Sequence, residues 1–322
     1  MKAIPWTLAG LGQLSILLEA SSPKPGNVNR LQSFSDTDYR HFLASASLMS
    51  RGLHLAASRG VAFAEDKLKP EDIRLGEIIL RCAEDVFTGI NKKNTILGTI
   101  LLHVPLVVSS AAVLRHESCF SVKGIEPWIR KVLDHTTPED TVNTYRAFHL
   151  ASLGGAMNKE ADTWTEFHDR YDIQNPSVYD NIREDEISLH QLFRASASVE
   201  EISREWSEYF KLTLHEVYPR LERYSAGFED LEEGIVKLFV WLLSQRPDGL
   251  IVKKVGFARA EEVRVLAEKT IKDSGFTDGA KLMLLLDKKL REEGNLLNPG
   301  TTADLVSAAI FCKLVAGEFP CV

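Results

Sequence analysis

Clustered basic charge, paired cysteines and strand-like alternation are all scarce in this chain of 322 residues, and each scarcity excludes a class of function. The 38 Lys and Arg residues are outnumbered by 45 Asp and Glu, for a formal net charge of −7, and they form no long basic run. A phosphate polymer rewards clustered positive charge, so nucleic acid is not an expected partner. Only four cysteines occur, Cys82, Cys119, Cys312 and Cys321, far apart and without a Cys-x-x-Cys pair. They point to neither a zinc site nor a disulfide framework, and a reduced, cytoplasmic compartment fits them best. The N-terminal MKAIPWTLAGLGQLSILLEASS is interrupted by Gly12, Gln13 and Ser15, which argues against a signal peptide. Residues 96–114 approach membrane-spanning length but contain His103, Pro105, Ser109 and Ser110, so they read as a buried core helix and no membrane partner is expected. The nine histidines are dispersed, and His103 reads as a hydrogen-bonded core residue rather than a metal ligand. Trp164, Trp206 and Trp241 read as core packing, since no basic stripe accompanies them. GxxxxGK[ST], HExxH and strand-embedded GxGxxG motifs are absent, as are fixed-period repeats.

What the chain does have is helical periodicity. At 44% hydrophobic and 26% charged residues it can bury a substantial core. Leu8, Leu11, Leu14, Leu17 and Leu18 recur at the three- and four-residue spacing of one helix face. The same spacing predicts helices over 36–58, 70–88, 94–115, 126–135 and 138–153, with Pro70 and Pro138 suited to a first turn. It predicts further helices over 199–224, 227–243, 259–273, 279–293 and 301–315. The expected fold is all-α: a compact multi-helix bundle forming a single domain, 1–322, with ligand loops at helix N-termini. Polar breaks fall at 21–35, 159–190 and 245–256, the middle one being the candidate subdivision.

Chemistry concentrates in a few polar loops. Pro23-Lys24-Pro25-Gly26-Asn27-Val28-Asn29-Arg30 stops a leucine-rich helix and offers two cations, Lys24 and Arg30, with the amides of Asn27 and Asn29. That inventory suits phosphate oxygens and sugar hydroxyls, although composition alone favours a solvated Pro-Gly surface turn. Asp36 and Asp38 follow, close enough in sequence to share a hydrated Mg2+ that also binds substrate phosphates. Helix capping by Ser35, Asp36 or Thr37 is the alternative. Glu19, near the end of the preceding helix, can approach the same loop as an acid or base. In Asn91-Lys92-Lys93-Asn94-Thr95-Ile96-Leu97-Gly98 a polar, basic loop meets a helix N-terminus, where free amides and the dipole favour an anion, with Asn94 as an N-cap the alternative. Gly294-Asn295-Leu296-Leu297-Asn298-Pro299-Gly300-Thr301-Thr302-Ala303-Asp304 repeats that arrangement, with capping by Thr301 or Thr302 as the alternative.

Taken in order, these loops resemble those of the triphosphoribosyl-dephospho-CoA synthase family. An early Glu followed by PKPG is similar to Glu19 and Pro23 to Gly26. The family's Asn-Thr-x-x-Gly resembles Asn94, Thr95 and Gly98, and its late Pro-Gly-x-x-Ala-Asp-Leu resembles Pro299, Gly300, Ala303, Asp304 and Leu305. Archaeal-type members look closest, through PKPGNVNR, DGLIVKKVG at 248–256 and NPGTTADL. The histidines of the bacterial motifs are replaced here, by Phe34-Ser35-Asp36-Thr37-Asp38 after the first loop and by Ile96 in the second.

The resemblance implies a helical transferase that joins the ribose anomeric carbon of ATP to the 2'-hydroxyl of 3'-dephospho-CoA and releases adenine. It implies Mg2+ at Asp36 and Asp38, phosphate charge from Lys24 and Arg30, and orientation of ribose or phosphate by Asn27 and Asn94. Glu19, Asp36 and Asp304 are then the catalytic carboxylates. Pro25, Gly26, Thr95, Gly98, Gly300, Thr301 and Thr302 complete the substrate cradle. A pentosyl transferase with another acceptor, or a nucleotide-binding protein without catalysis, are the other readings, and the sequence leaves the oligomeric state open.

Overall fold

A computed structural model describes residues 3–89, 93–151, 165–198, 200–274 and 279–321. The fold is all-α, with no strand among the described residues, as the periodicity predicts. The chain groups into two compact units. Met1–Leu14, Ala44–Leu212 and Leu314–Val322 form the first, and Ser15–Leu43 with Thr213–Lys313 the second. Residues 159–164 of the expected subdivision lie outside the described residues; 165–190 belong to the first unit and hold the short helices Glu166–Arg170 and Val178–Glu184.

The first unit is built around Leu97–Glu117, against which Ser50–Ala64, Leu75–Phe87, Val122–Asp134 and Glu201–Ser207 pack. The mean hydropathy of its most apolar 18-residue window is 2.0, yet 94% of that window is buried within the protein. A second helix, Gly300–Glu318, also has the length and apolarity of a membrane span and is 67% buried by the same measure. Pro105 lies inside the first of these. A proline has no amide hydrogen, so the carbonyl four residues earlier, that of Leu101, loses its helical donor. The indole Nε1 of the fully buried Trp206 supplies one at 3.1 Å. Trp206 is therefore a core residue with a polar duty, while Trp164 lies outside the described residues.

His103 is also a core residue, fully buried with Nδ1 at 3.1 Å from the Thr99 carbonyl. Burial pushes its pKa down to about 4, against the smaller opposing effect of the Thr99 hydrogen bond. The unfolded chain therefore takes up this proton first. Stability attributable to neutral His103 is complete above pH ~6.5 and is lost as pH falls through about 4, a loss of about 3 kcal/mol. Chemical unfolding of His103→Gln across this window is expected to show a flatter pH profile than the wild type.

Several helix boundaries differ from the periodic reading. The helix expected from 36 begins at Tyr39, because Asp38 rather than Ser35, Asp36 or Thr37 accepts the Arg40 amide, at 2.9 Å, and it divides into Tyr39–Leu48 and Ser50–Ala64. Over 70–88, a 3₁₀ turn at Pro70–Ile73 is separated from Leu75–Phe87 by Arg74 at φ 53°. Over 199–224, Tyr209 and Phe210 at φ 55° and 62° end one helix before the next begins. The break at 245–256 contains a helix, Gly249–Val255, because Asp248 caps it.

The cysteine reading is corrected in one respect. Cys119 and Cys321 form a disulfide with Cα atoms 5.0 Å apart, whereas Cys82 and Cys312 are buried thiols. A separation of 202 residues hid the pair from a search for local spacing. Unreduced denatured protein is expected to yield two titratable thiols and reduced protein four.

Candidate functional site

The second unit gathers most of the residues singled out by sequence. Its helices Leu231–Gln245, Gly249–Val255 and Gly279–Arg291 each pack on Phe257–Ser274, and the loop that follows helix Ile4–Ser21 bonds to the first and the last of the four. Pro23 and Pro25 prevent the helix from continuing. Gly26 then turns at φ 68°, where a Cβ would lie 2.5 Å from Leu290 Cβ, so neither the backbone conformation nor the space admits a side chain. The Gly26 amide donates to Asp287 Oδ1 at 2.8 Å, which also accepts from Arg291 Nε at 2.8 Å.

Lys24 occupies an unexpected position. It is completely buried, and its ammonium faces Glu19 Oε1 at 3.0 Å and the carbonyls of Glu19 and Ser22. Burial raises the Glu19 pKa and lowers that of Lys24, and their mutual attraction opposes both shifts. Lys24 thus directs its charge at Glu19, and Glu19 faces Lys24. Arg30 is likewise committed: it donates to both carboxylate oxygens of Glu232 and to the Ser21 carbonyl, fastening the loop to helix Leu231–Gln245.

The first and third loops meet through side-chain amides. Asn27 Nδ2 donates to Asn298 Oδ1 at 2.8 Å, and Asn298 Nδ2 to Asn295 Oδ1 at 2.9 Å. Asn295 Nδ2 in turn lies 3.3 Å from each oxygen of Asp36. Lys254 Nζ reaches the Asn295 carbonyl at 2.6 Å. Asn27 is buried at one end of this chain, and Asp36 is exposed at the other. Asn29 serves the turn itself, accepting from the amides of Leu31 and Gln32 at 2.9 and 3.0 Å.

The third loop is held from beneath by Asp248, which is buried. Its Oδ1 accepts from the Leu250 and Ile251 amides at 2.9 and 3.1 Å. Its Oδ2 accepts from Thr302 N and Oγ1 at 2.7 and 2.8 Å. One carboxylate thus satisfies the first turns of Gly249–Val255 and Gly300–Glu318, where free amides need acceptors. Burial raises the Asp248 pKa, against the lowering effect of these hydrogen bonds. At Gly300 a Cβ would lie 2.5 Å from Leu250 Cδ2, which explains the glycine by close approach. Thr301 and Thr302 are buried here, and Thr302 is a hydrogen-bond partner of Asp248. Asp304 is half-buried in the same first turn.

Asp38 is engaged by its neighbours in the chain. It accepts from Arg40 Nε at 3.1 Å and Nη2 at 2.5 Å, and lies 3.1 Å from His41 Nδ1. Hydrogen bonding from Arg40 holds its pKa down to about 2. Asp36 is left as the exposed carboxylate beside the amide chain. Among the described residues no three His, Cys, Asp or Glu side chains converge as a metal cage. One carboxylate with open surroundings fits a magnesium ion that keeps its waters and binds substrate phosphates.

The Asn94 loop belongs to the first unit and is described by itself; Asn91 and Lys92 lie outside the described residues. Asn94 Oδ1 accepts from the Leu97 amide at 3.4 Å, Thr95 Oγ1 lies 2.8 Å from Ser45 Oγ, and Gly98 is in the first turn of Leu97–Glu117. Asp287, Arg291, Lys254 and Glu232 were not anticipated as site residues. The Asp287–Arg291 pair had a signal, an acid and a base four apart on a predicted helix, and Lys254 lies in the 248–256 stretch that carries the resemblance.

The model of the CitG family, described as ATP:dephospho-CoA triphosphoribosyl transferase, matches residues 5–320. Among solved structures, a crystal structure of an Archaeoglobus fulgidus protein provisionally named triphosphoribosyl-dephospho-CoA synthase is similar at 24% identity and a TM-score of 0.59. The match covers 85% of this chain and 99% of that one, and at this identity it speaks for the fold. No curated protein matches the chain.

Proposed function

The chain belongs to the ATP:dephospho-CoA triphosphoribosyl transferase family, and from that premise we infer how its residues serve the transfer of the 5-triphosphoribosyl group of ATP to 3'-dephospho-CoA. The glycosidic bond between the ribose anomeric carbon and adenine breaks, a bond to the acceptor 2'-hydroxyl oxygen forms, and the hydroxyl proton leaves to a base. Adenine departs with a proton while the triphosphate stays on the sugar. Such a displacement builds oxocarbenium-like positive charge at the ribose, which a placed carboxylate stabilises.

The observation that carries the residue assignment is the amide chain from Asn27 to Asp36. Its Asn27–Asn298 link joins residues 271 apart in sequence, both from motifs the family resemblance singled out. Amides present both donors and acceptors, as sugar hydroxyls and phosphate oxygens require. We assign Asp36 to the reacting centre because it is the exposed carboxylate of the chain, with Asp304 as the second carboxylate of the same unit. Asn27 orients the ligand from within the loop, while Glu19, Lys24, Pro25, Gly26 and Arg30 hold the loop's shape. Gly300, Thr301 and Thr302 do the same for the third loop. Asn94, Thr95 and Gly98 are proposed substrate contacts of the first unit. Magnesium bound with ATP supplies neutralisation of the triphosphate, and Asp36 is the residue here that would hold it. A cytoplasmic setting suits an enzyme that consumes ATP.

Purified protein incubated with ATP, magnesium and 3'-dephospho-CoA is expected to release adenine only when the acceptor is present, with a coupled product that retains the triphosphate. Chromatography with mass spectrometry reads both. Acceptor-independent adenine, or none at all, would overturn the assignment.

A further inference from the structure

We infer that Arg291 is the residue that binds the polyphosphate anion of the substrate, a role that rests on the transferase reading above. The charge inventory of the second unit favours it. Lys24 faces Glu19, Arg30 faces Glu232, Arg40 faces Asp38, and Arg259 faces Glu262 and Glu293. Each of these cations spends its charge on neighbouring carboxylates. Arg291 differs in that the carboxylate oxygen it meets, Asp287 Oδ1, is shared with the Gly26 amide.

Its guanidinium is also preorganised. Nε donates to Asp287 at 2.8 Å, Nη2 donates to the Asn27 carbonyl at 2.5 Å, and the group lies 4.9 Å from the centre of the Phe34 ring. Three contacts fix the plane of a side chain that is 15% exposed. The remaining nitrogen, Nη1, is buried and donates to no protein acceptor. A charged donor withdrawn from water without an acceptor is costly, and folded proteins retain such groups chiefly where a ligand or ordered water completes them. The planar fork of arginine matches two phosphate oxygens.

Position gives the third argument. Arg291 touches Asn27, the inner end of the amide chain whose outer end is Asp36. An anion on Nη1 therefore sits beside the residues assigned to the sugar. The Arg291 charge also disfavours the protonated form of Lys24, a smaller effect than its burial. A bound polyphosphate relieves that repulsion between two cations.

Inorganic tripolyphosphate is the probe, because its binding is read without turnover. In calorimetry on the full chain, Arg291→Gln is expected to weaken tripolyphosphate at least tenfold, while Arg259→Gln stays within about twofold of wild type as a control for general charge loss. In the adenine-release assay the same variant is expected to raise KM for ATP more than KM for dephospho-CoA, with kcat changed less than about threefold; an unfolding midpoint near that of wild type separates this from damage to the fold. Wild-type tripolyphosphate affinity in a folded Arg291→Gln variant overturns the role. Should that variant not fold, ¹⁵N resonances of the wild-type arginine side chains decide, with Arg291→Lys used for assignment. An Arg291 signal unmoved by saturating tripolyphosphate overturns the proposal, and a moved one supports it. Failure of the wild type to release adenine counts against the transfer reaction alone, since the tripolyphosphate measurement stands without it.

Discussion

Lys24→Met is expected to lose about 3–5 kcal/mol of unfolding free energy, the range for removing one member of a buried ion pair. Lys24 is fully buried and Glu19 nearly so, and Glu19 Oε1 has no hydrogen-bond donor in good geometry beyond the ammonium that approaches it at 3.0 Å. Removing the ammonium leaves a carboxylate without water or counter-charge, and takes the side-chain donor from the Glu19 and Ser22 carbonyls, which keep only their backbone donors. The double variant Glu19→Leu/Lys24→Met removes both charges and is expected to recover part of the loss, because apolar replacement of a whole pair is tolerated far better than its half. Urea unfolding of the wild type, both singles and the double gives the coupling energy. The same double variant tests the placement of the charge. With Lys24 turned toward Glu19, ATP affinity of the folded double variant is expected within about threefold of wild type. A loss of tenfold or more would return Lys24 to the phosphate.

That outcome bears on what a single sequence reveals. Helices were legible because their apolar faces repeat at 3.6 residues regardless of partners. The loops were legible because Pro23, Pro25, Gly26 and Pro299-Gly300 interrupt that repeat. Charge partners were not, because they are set by packing between distant segments. Nothing local to Lys24 distinguishes a phosphate-binding cation from one buried against Glu19, and nothing local to Thr302 announces Asp248, 54 residues away. The disulfide escaped for the same reason, being a contact between 119 and 321 with no motif around it. Helix breaks at Arg74, Tyr209 and Phe210 escaped because these residue types do not signal a left-handed backbone. The Asp287–Arg291 pair shows the converse: its spacing was visible on a predicted helix, but its relation to Gly26 and Asn27 is a property of the fold.

Asp36→Asn is expected to lower kcat for adenine release by 100- to 10,000-fold, the range for losing a positioned carboxylate at a reacting centre, with little change in stability. The small stability effect follows from the site: Asp36 is exposed, and its contacts at 3.3 Å from Asn295 are ones an amide can partly replace. Asp38→Asn is the informative control. Two residues away in sequence, Asp38 is engaged by Arg40 and His41 at the start of helix Tyr39–Leu48, so its replacement is expected to change turnover less than about fivefold. If the two aspartates shared one cation instead, both variants would lose activity together and both would raise the magnesium concentration needed for half-maximal rate. Separate behaviour, with only Asp36→Asn impaired, is the result the geometry calls for. Near-normal turnover by a folded Asp36→Asn variant would remove Asp36 from the chemistry and leave Asp304 as the carboxylate to test.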